Sequence, residues 1–445
     1  MFRFPKRFIS LFLAFVLLLS LCSCKQEKEN YAVTPSYYTG NGLSVSVSSE
    51  NVPLVTLSGM LDSDTMLKIE ESINLAIKSF ATADRQVGWG GYQLVEKGVS
   101  PSQITIDVTP AFNAGNLLSL LLTKNCTYPI SLGNVTLTES IPLNYDLISG
   151  KSLALSDLFD GEIDVIKELE ARILANLDQY RLAAPFGGLD KDTPFLFDAQ
   201  GITLYIGDSL SEFVTDPVET GTIRIDYDSV LFNHLTIFDR EADLTRYQSV
   251  SDVRHLICYP SEIVENHKKT INGMEIQVLV TMPTQFASQA VKERVEHLAP
   301  ILEDIELQAT GSGDEFYNCC YYAERVGHFM VIRMVEEDHS GMNSYQSDRI
   351  YVFDAITAEN IPVTDLFRPN FNYREALVEK MYGEATAGDK KIEAEAISKA
   401  QIIPREDHFL IRYTSSAVQA SVLYDGTDKL VSYADLGYEN LNLYN

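Results

Sequence analysis

Apolar residues recur along this chain with two different periods. The orders Ile104-Thr105-Ile106-Asp107-Val108 and Ile223-Arg224-Ile225-Asp226-Tyr227 alternate, which predicts strands with one buried face. Leu67, Ile69, Ile73 and Ile77 fall near helical spacing and predict a helix. A second helix is expected over 163–177, after the turn Asp157-Leu158-Phe159-Asp160-Gly161. The apolar run 117–122 has strand length, and no run after residue 21 approaches the roughly 20 apolar residues that a membrane helix needs.

The same blocks come twice. Residues 145–159 align without a gap on 353–367: Asp146, Ile148, Asp157, Leu158 and Phe159 recur as Asp354, Ile356, Asp365, Leu366 and Phe367. Upstream, Val55 and Leu57, then Met66, Ile73 and Ile77, parallel Val280 and Met282, then Val291, Leu298 and Leu302. The stretch from Gly115 parallels the one from Gly327, and Leu169 and Ile173 parallel Leu377 and Met381. Each copy reads as strand, helix, strands, helix, strands. That order predicts an α+β fold of two tandem related domains, each an antiparallel sheet packed with helices. The copies are expected over 51–240 and 273–445, joined by a connector over 241–272.

The head of the chain carries an address. Arg3, Lys6 and Arg7 precede the apolar run 8–21, which ends in Leu21-Cys22-Ser23-Cys24 and gives way at once to polar residues. This is the pattern of a secretion signal over 1–23, and its end resembles a bacterial lipobox, with Cys24 as the lipidated first residue. Polar residues 24–50 read as a tether. The expected location is extracytoplasmic, lipid-anchored to the cell membrane or to an outer membrane, with the lipid as the membrane contact.

Composition sharpens the choice of partner. The 445 residues carry 35 Lys and Arg against 62 Asp and Glu, a net charge of -27. Without the leader the balance is 32 against 62, or -30. So negative a surface repels phosphate backbones, which argues against nucleic acid and favours a cationic partner. Cys126, Cys258, Cys319 and Cys320 lack metal-ligand spacing, and an exported location leaves both a disulfide and buried free thiols open.

Chemistry is harder to find. The seven histidines form no compact ligand set, and no phosphate loop, nucleophile elbow or dinucleotide fingerprint occurs, so no metal, cofactor or catalytic residue is assigned. The densest polar cluster, Glu336-Glu337-Asp338-His339, reads as an exposed turn. The duplicated aspartates read as turn and cap carboxylates rather than as a hydrolytic pair. Trp89, between Gly88 and Gly90, is a candidate for stacking on a ligand.

The run Leu143-Asn144-Tyr145-Asp146-Leu147-Ile148-Ser149-Gly150-Lys151, continuing to Leu155-Ser156-Asp157-Leu158-Phe159, resembles the signature of a bacterial extracytoplasmic domain. That domain forms the sensory part of lysozyme-responsive anti-sigma-V factors and is also found attached to peptidoglycan deacetylases. The resemblance covers about 52–235 well and about 276–440 less closely. Glu212 and Phe213 stand where lysozyme-sensing members carry a Pro-Tyr pair, and a Gly-Gly-Ala-His stretch of the family is replaced here around Gly133. The resemblance implies a non-enzymatic envelope protein that binds or senses a cationic, lysozyme-like protein or a peptidoglycan-derived ligand, and it adds Glu212 and Phe213 to Trp89 as binding candidates. A structural subunit of an envelope lipoprotein assembly and a carboxylate-dependent envelope hydrolase are the alternatives.

Overall fold

The computed structural model describes residues 36–83, 100–130, 133–176, 188–206, 222–238, 248, 253–271, 274–301, 316–340 and 343–444. The chain enters as strand β1 (Tyr37–Thr39), pairs β2 (Ser44–Val47) with β3 (Val55–Ser58), and continues as helix α1 (Ser63–Thr82). The Asp62 carboxylate starts α1 by accepting the Thr65 N–H at 3.1 Å. Ile69, Ile73 and Ile77 form its buried stripe. Leu67, expected with them, is 48% exposed, because a two-residue step turns a helix by about 200° and carries the side chain off that face.

Strands β4 (Gln103–Ala114), β5 (Leu117–Ile130) and β6 (Gly133–Asp146) form an antiparallel meander that the short β7 (Lys151–Ser152) extends. Leu118, Leu120 and Leu122 of β5 join the α1 core, whereas Leu117 joins a second core on the opposite face. Covering both faces is why leucines fall on both sides of β5 over 117–122, and the one polar residue of the run, Ser119, is buried and donates to the Asn144 side-chain oxygen at 2.7 Å. The second core is closed by α2 (Val165–Ala175) and by a small antiparallel sheet of β8 (Phe195–Phe197), β9 (Gly201–Tyr205) and β10 (Thr222–Asp226), followed by α3 (Ser229–His234). One polar side chain crosses into the α1 core. Lys124 is buried on β5, ion-paired with Glu139 at 2.7 Å, and its ammonium donates to the Phe80 and Ala83 carbonyls at 3.1 and 3.2 Å. It thereby places a cation at the negative end of α1.

After β11 (Arg254–Leu256) the plan is repeated. A hairpin of β12 (Ser261–Ile271) and β13 (Met274–Pro283) leads to α4 (Gln289–Leu298) and then to the meander β14 (Phe316–Val326), β15 (Phe329–Ser340) and β16 (Asn343–Asp354). Helices α5 (Tyr373–Met381) and α6 (Ala387–Ile397) then precede β17 (Gln401–Pro404) and β18 (His408–Arg412). Helix α7 (Ser415–Ala420), strand β19 (Lys429–Ser432) and α8 (Tyr433–Leu436) complete the chain, and β18 is the centre of this second small sheet. The class is α+β. Among the described residues the pairings are antiparallel except that β13 runs parallel to β14, which joins hairpin and meander into one five-stranded sheet.

The repeat is visible in backbone detail. Gly115 and Gly327 make the same left-handed turns, φ 55° and 57°, between the first two strands of each meander. The Asp146 carboxylate accepts the N–H groups of Ile148 and Ser149 at 3.0 and 2.7 Å, and Asp354 accepts those of Ile356 and Thr357 at 2.8 and 2.6 Å. Each turn ends in a residue at positive φ, Gly150 at 68° and Ala358 at 62°; alanine tolerates this poorly, and the Arg294 guanidinium holds the Ala358 carbonyl. Asp157 caps its 3-10 turn by accepting the Ala154 N–H at 2.8 Å. Pro362 occupies the matching place in the second copy and has no N–H to give, so Asp365 accepts the Thr364 hydroxyl at 3.2 Å instead.

Two expected boundaries move. Residues 24–50 are not a bare spacer, since β1 and β2 fall within them and Leu43 is buried. The connector 241–272 likewise holds β11 and β12. The cause is a pairing across the repeat: β1 lies antiparallel to β11, with Tyr38 opposite His255. The entry segments of the two copies thus bind each other. Among the described residues, Cys126, Cys258, Cys319 and Cys320 form no disulfide.

Candidate functional site

Four of the residues singled out from sequence, Cys24, Trp89, Glu212 and Phe213, lie outside the described residues. The duplicated aspartates are not brought together as a hydrolytic pair; each holds a turn of its own copy. The run from Glu336 to His339 lies in strand β15 rather than in an exposed turn. Glu336 accepts the Tyr317 hydroxyl at 3.1 Å and pairs with Arg349 across the sheet, so the density of charge there is cross-strand pairing.

A different place collects polar groups. The β8–β9 turn, Asp198 to Gln200, and the equivalent β17–β18 turn, Arg405 to Asp407, meet where the two copies face each other. Two adjoining cavities, of about 310 and 680 Å³, open beside them and share Ala199, Gln200 and Glu406 in their walls. Glu406 is the hub. One carboxylate oxygen accepts the Tyr38 hydroxyl at 2.8 Å and the other accepts the Gln200 amide at 3.1 Å, so this one side chain joins β1, the first copy and the second. Its backbone carbonyl accepts the Leu256 N–H at 2.8 Å.

Aromatic contacts fix the floor of the smaller cavity. The Tyr38 ring stacks on His255 at 4.9 Å and on Phe112 at 5.8 Å between centroids. Burial raises the Tyr38 hydroxyl far above its ordinary range, and the Glu406 charge adds to this, so it remains a donor. In the wall, burial raises the Asp198 carboxyl, but the Arg224 guanidinium at 2.6 Å and the Gln200 N–H outweigh it and hold the group below the usual carboxylate range. Gly201 is required beside it, because a Cβ there would lie 2.5 Å from the Ile225 carbonyl.

The larger cavity has an acidic wall. Glu324 is neutralised by Arg405, and Asp226 pairs with Arg224 at 2.9 Å. Arg325 is buried with its guanidinium 3.9 Å from the centre of the Tyr259 ring. Among the described residues, neither Glu406 nor Asp407 has a lysine or arginine partner; Asp407 meets only the His408 ring, at 2.7 Å. Two carboxylates are therefore left to present charge to whatever enters. Burial, followed by Glu406 and Glu324, pushes the Cys258 thiol in this wall up to about 12, which keeps it protonated and a poor nucleophile at neutral pH. The arrangement suits binding of a cation better than covalent chemistry.

None of these residues stood out in the sequence. Tyr38 lay in the stretch read as tether and His255 in the stretch read as connector. The one usable signal was the register of the repeat, which places 198–200 and 405–407 at equivalent turns.

The same geometry sets a pH dependence. Burial lowers the His255 imidazole, with Glu406 and Asp407 pulling weakly the other way, and burial also lowers His328. An unfolded histidine titrates at about 6.5, so below that value the unfolded chain binds protons that the folded chain resists. Stability is therefore full above about pH 6.5 and falls as the pH drops through it. The urea midpoint should be lower at pH 5.5 than at pH 7.5, and His255→Phe, which keeps a ring on Tyr38, should narrow the gap. An equal gap in the variant would assign the effect elsewhere.

No family model matches the chain, and no curated protein does. Among solved structures, the chain is similar to a DUF3298 family protein from Pseudomonas aeruginosa, with 13% identity, 42% of this chain and 96% of that chain covered, and a TM-score of 0.28. It is also similar to a member of the DUF3298 family from Bacteroides fragilis, with 16% identity, 46% and 98% covered, and a TM-score of 0.28.

Proposed function

We propose that the chain is a lipid-anchored, extracytoplasmic, non-catalytic binding or sensing protein of the bacterial envelope, and that its ligand is a cationic, lysozyme-like protein or a peptidoglycan-derived fragment. The observation that carries the reading is the cleft between the copies, where Glu406 borders both adjoining cavities and Asp407 the larger one, neither with a lysine or arginine partner among the described residues. The net charge of -27 supports it, since a negative surface steers cations towards such a wall. The likeness of residues 143–159 to the sensory domain of anti-sigma-V factors supports the choice of a lysozyme-like partner, and the lipobox pattern around Cys24 supports the location.

The test is calorimetric titration of the lipid-free mature chain with a cationic lysozyme across a salt series. One-to-one binding should survive about 0.15 M salt, where the Debye length is about 8 Å. Glu406→Gln combined with Asp407→Asn should weaken it roughly tenfold or more, because lost interfacial charge pairs cost about 1.5 kcal/mol and upwards. Binding to muropeptides alone would select the peptidoglycan ligand. Absence of binding to both at low salt would overturn the proposal.

A further inference from the structure

A second cluster lies outside the cleft. Asp160 and Glu162, just after the 3-10 turn, meet His234 at the end of α3, so that one ligand atom from each falls within 4.8 Å of the others. Backbone pairing brings them together: Phe159 bridges Leu235, and the Asp160 N–H donates to the His234 carbonyl at 3.0 Å. The Asp160 carboxylate then bonds both ways, accepting the Glu162 N–H at 2.8 Å and meeting the His234 Nδ1 at 2.9 Å.

The second copy shows what the fold itself requires here. Phe367 bridges Leu441 and the Arg368 N–H donates to the Asn440 carbonyl at 2.8 Å, so the same backbone junction forms. The residues matching Asp160, Glu162 and His234 are Arg368, Asn370 and Asn440. The junction is thus made without any of the three donors, and the arginine there repels a cation. The first copy carries a histidine and two carboxylates at a place where the fold needs none of them.

From this juxtaposition we infer that Asp160, Glu162 and His234 bind one divalent transition-metal ion of the zinc class. Two ligands on a tetrahedral zinc, each about 2.0–2.1 Å from the ion, stand about 3.3 Å apart. The His234–Asp160 pair at 2.9 Å needs only a small opening for the ion to replace the shared hydrogen bond. The exposed Glu162 side chain can then turn in as third ligand, leaving water in the fourth position. Imidazole among the ligands favours zinc, cobalt or nickel over magnesium and calcium. The site is independent of the cleft, and its ligands come from positions 74 residues apart, which is why no sequence spacing revealed it.

Titration of the whole mature chain with Co²⁺, followed by its visible absorption, and with Zn²⁺, followed by calorimetry, tests this. One equivalent should bind, with cobalt bands of tetrahedral or five-coordinate type. His234→Gln and Glu162→Gln should each weaken binding roughly tenfold or more, at least the loss typical of disturbing a metal site. Glu162 is exposed, so its variant should keep the unfolding midpoint of the metal-free parent and report on the ion alone. No binding by the parent chain, or binding left unchanged by both variants, would overturn the assignment.

Discussion

Replacing Glu393 by alanine should destabilise the chain by about 3–5 kcal/mol, enough to remove much of the stability of a typical domain. The carboxylate is fully buried on α6 and sits in a ring of donors. It accepts the hydroxyls of Tyr413 and Ser421 and the N–H groups of Val422 and Leu423, the last two at 3.2 and 3.1 Å. These donors come from the end of β18 and from the segment after α7, so one side chain ties the return loop of the small sheet onto a helix. Removing it strands several donors away from water, and each lost partner in such a place costs about 1–3 kcal/mol. Burial raises the Tyr413 hydroxyl well above its ordinary range, and its bond to Glu393 raises it further, so it remains a donor at any pH that the fold survives. Tyr413→Phe removes one donor with its acceptor still served, and should cost about 1 kcal/mol. Urea unfolding of the three proteins gives the comparison; a loss below about 1 kcal/mol for Glu393→Ala would show that the loop relaxes to water.

Glu393 also marks a limit on what a sequence discloses. A glutamate in Lys391-Ile392-Glu393-Ala394-Glu395 reads as one more charge on a solvated helix, and only the loop folding back over α6 makes it a buried hub. The duplicated blocks were legible because their content is local. Asp146 and Asp354 each bond within three residues, and the stripe of Ile69, Ile73 and Ile77 follows from helical period alone. What the pattern missed is non-local. The parallel β13–β14 pair, the pairing of β1 with β11, the meeting of two equivalent turns at Glu406 and the gathering of Asp160 with His234 all join positions that no periodicity links. Polarity misled at the tether as well: the stretch containing Tyr37 and Tyr38 is rich in Ser, Thr and Gly, which suits a linker, but a strand this short needs only one or two large side chains to dock.

Tyr38→Ala tests that docking and the cleft together. The ring is packed between His255, Phe112 and Phe238, at 4.9, 5.8 and 5.5 Å, and its hydroxyl reaches Glu406 at 2.8 Å. Phe112 and Phe238 belong to the first copy, His255 to the segment that opens the second, and Glu406 to the turn between β17 and β18. One side chain therefore contributes to both sides of the junction, and deleting a large aromatic from such a site costs about 3–5 kcal/mol. That loss falls on the junction and on the edge of the first copy's core, against which Tyr38 packs, and leaves the core of the second copy untouched. Heating followed by calorimetry should then show one cooperative transition in the parent and two in Tyr38→Ala, the copies unfolding separately once the stitch is gone. Tyr38→Phe keeps the stacking and loses only the hydrogen bond, so it should keep a single transition and lose about 1 kcal/mol. Cation binding supplies the second readout. With Glu406 released from Tyr38 and the copies free to part, the cleft loses its shape, and affinity should fall further in Tyr38→Ala than in Tyr38→Phe. Two transitions already present in the parent, or one retained in Tyr38→Ala, would mean that the β1–β11 pairing is not what holds the copies together.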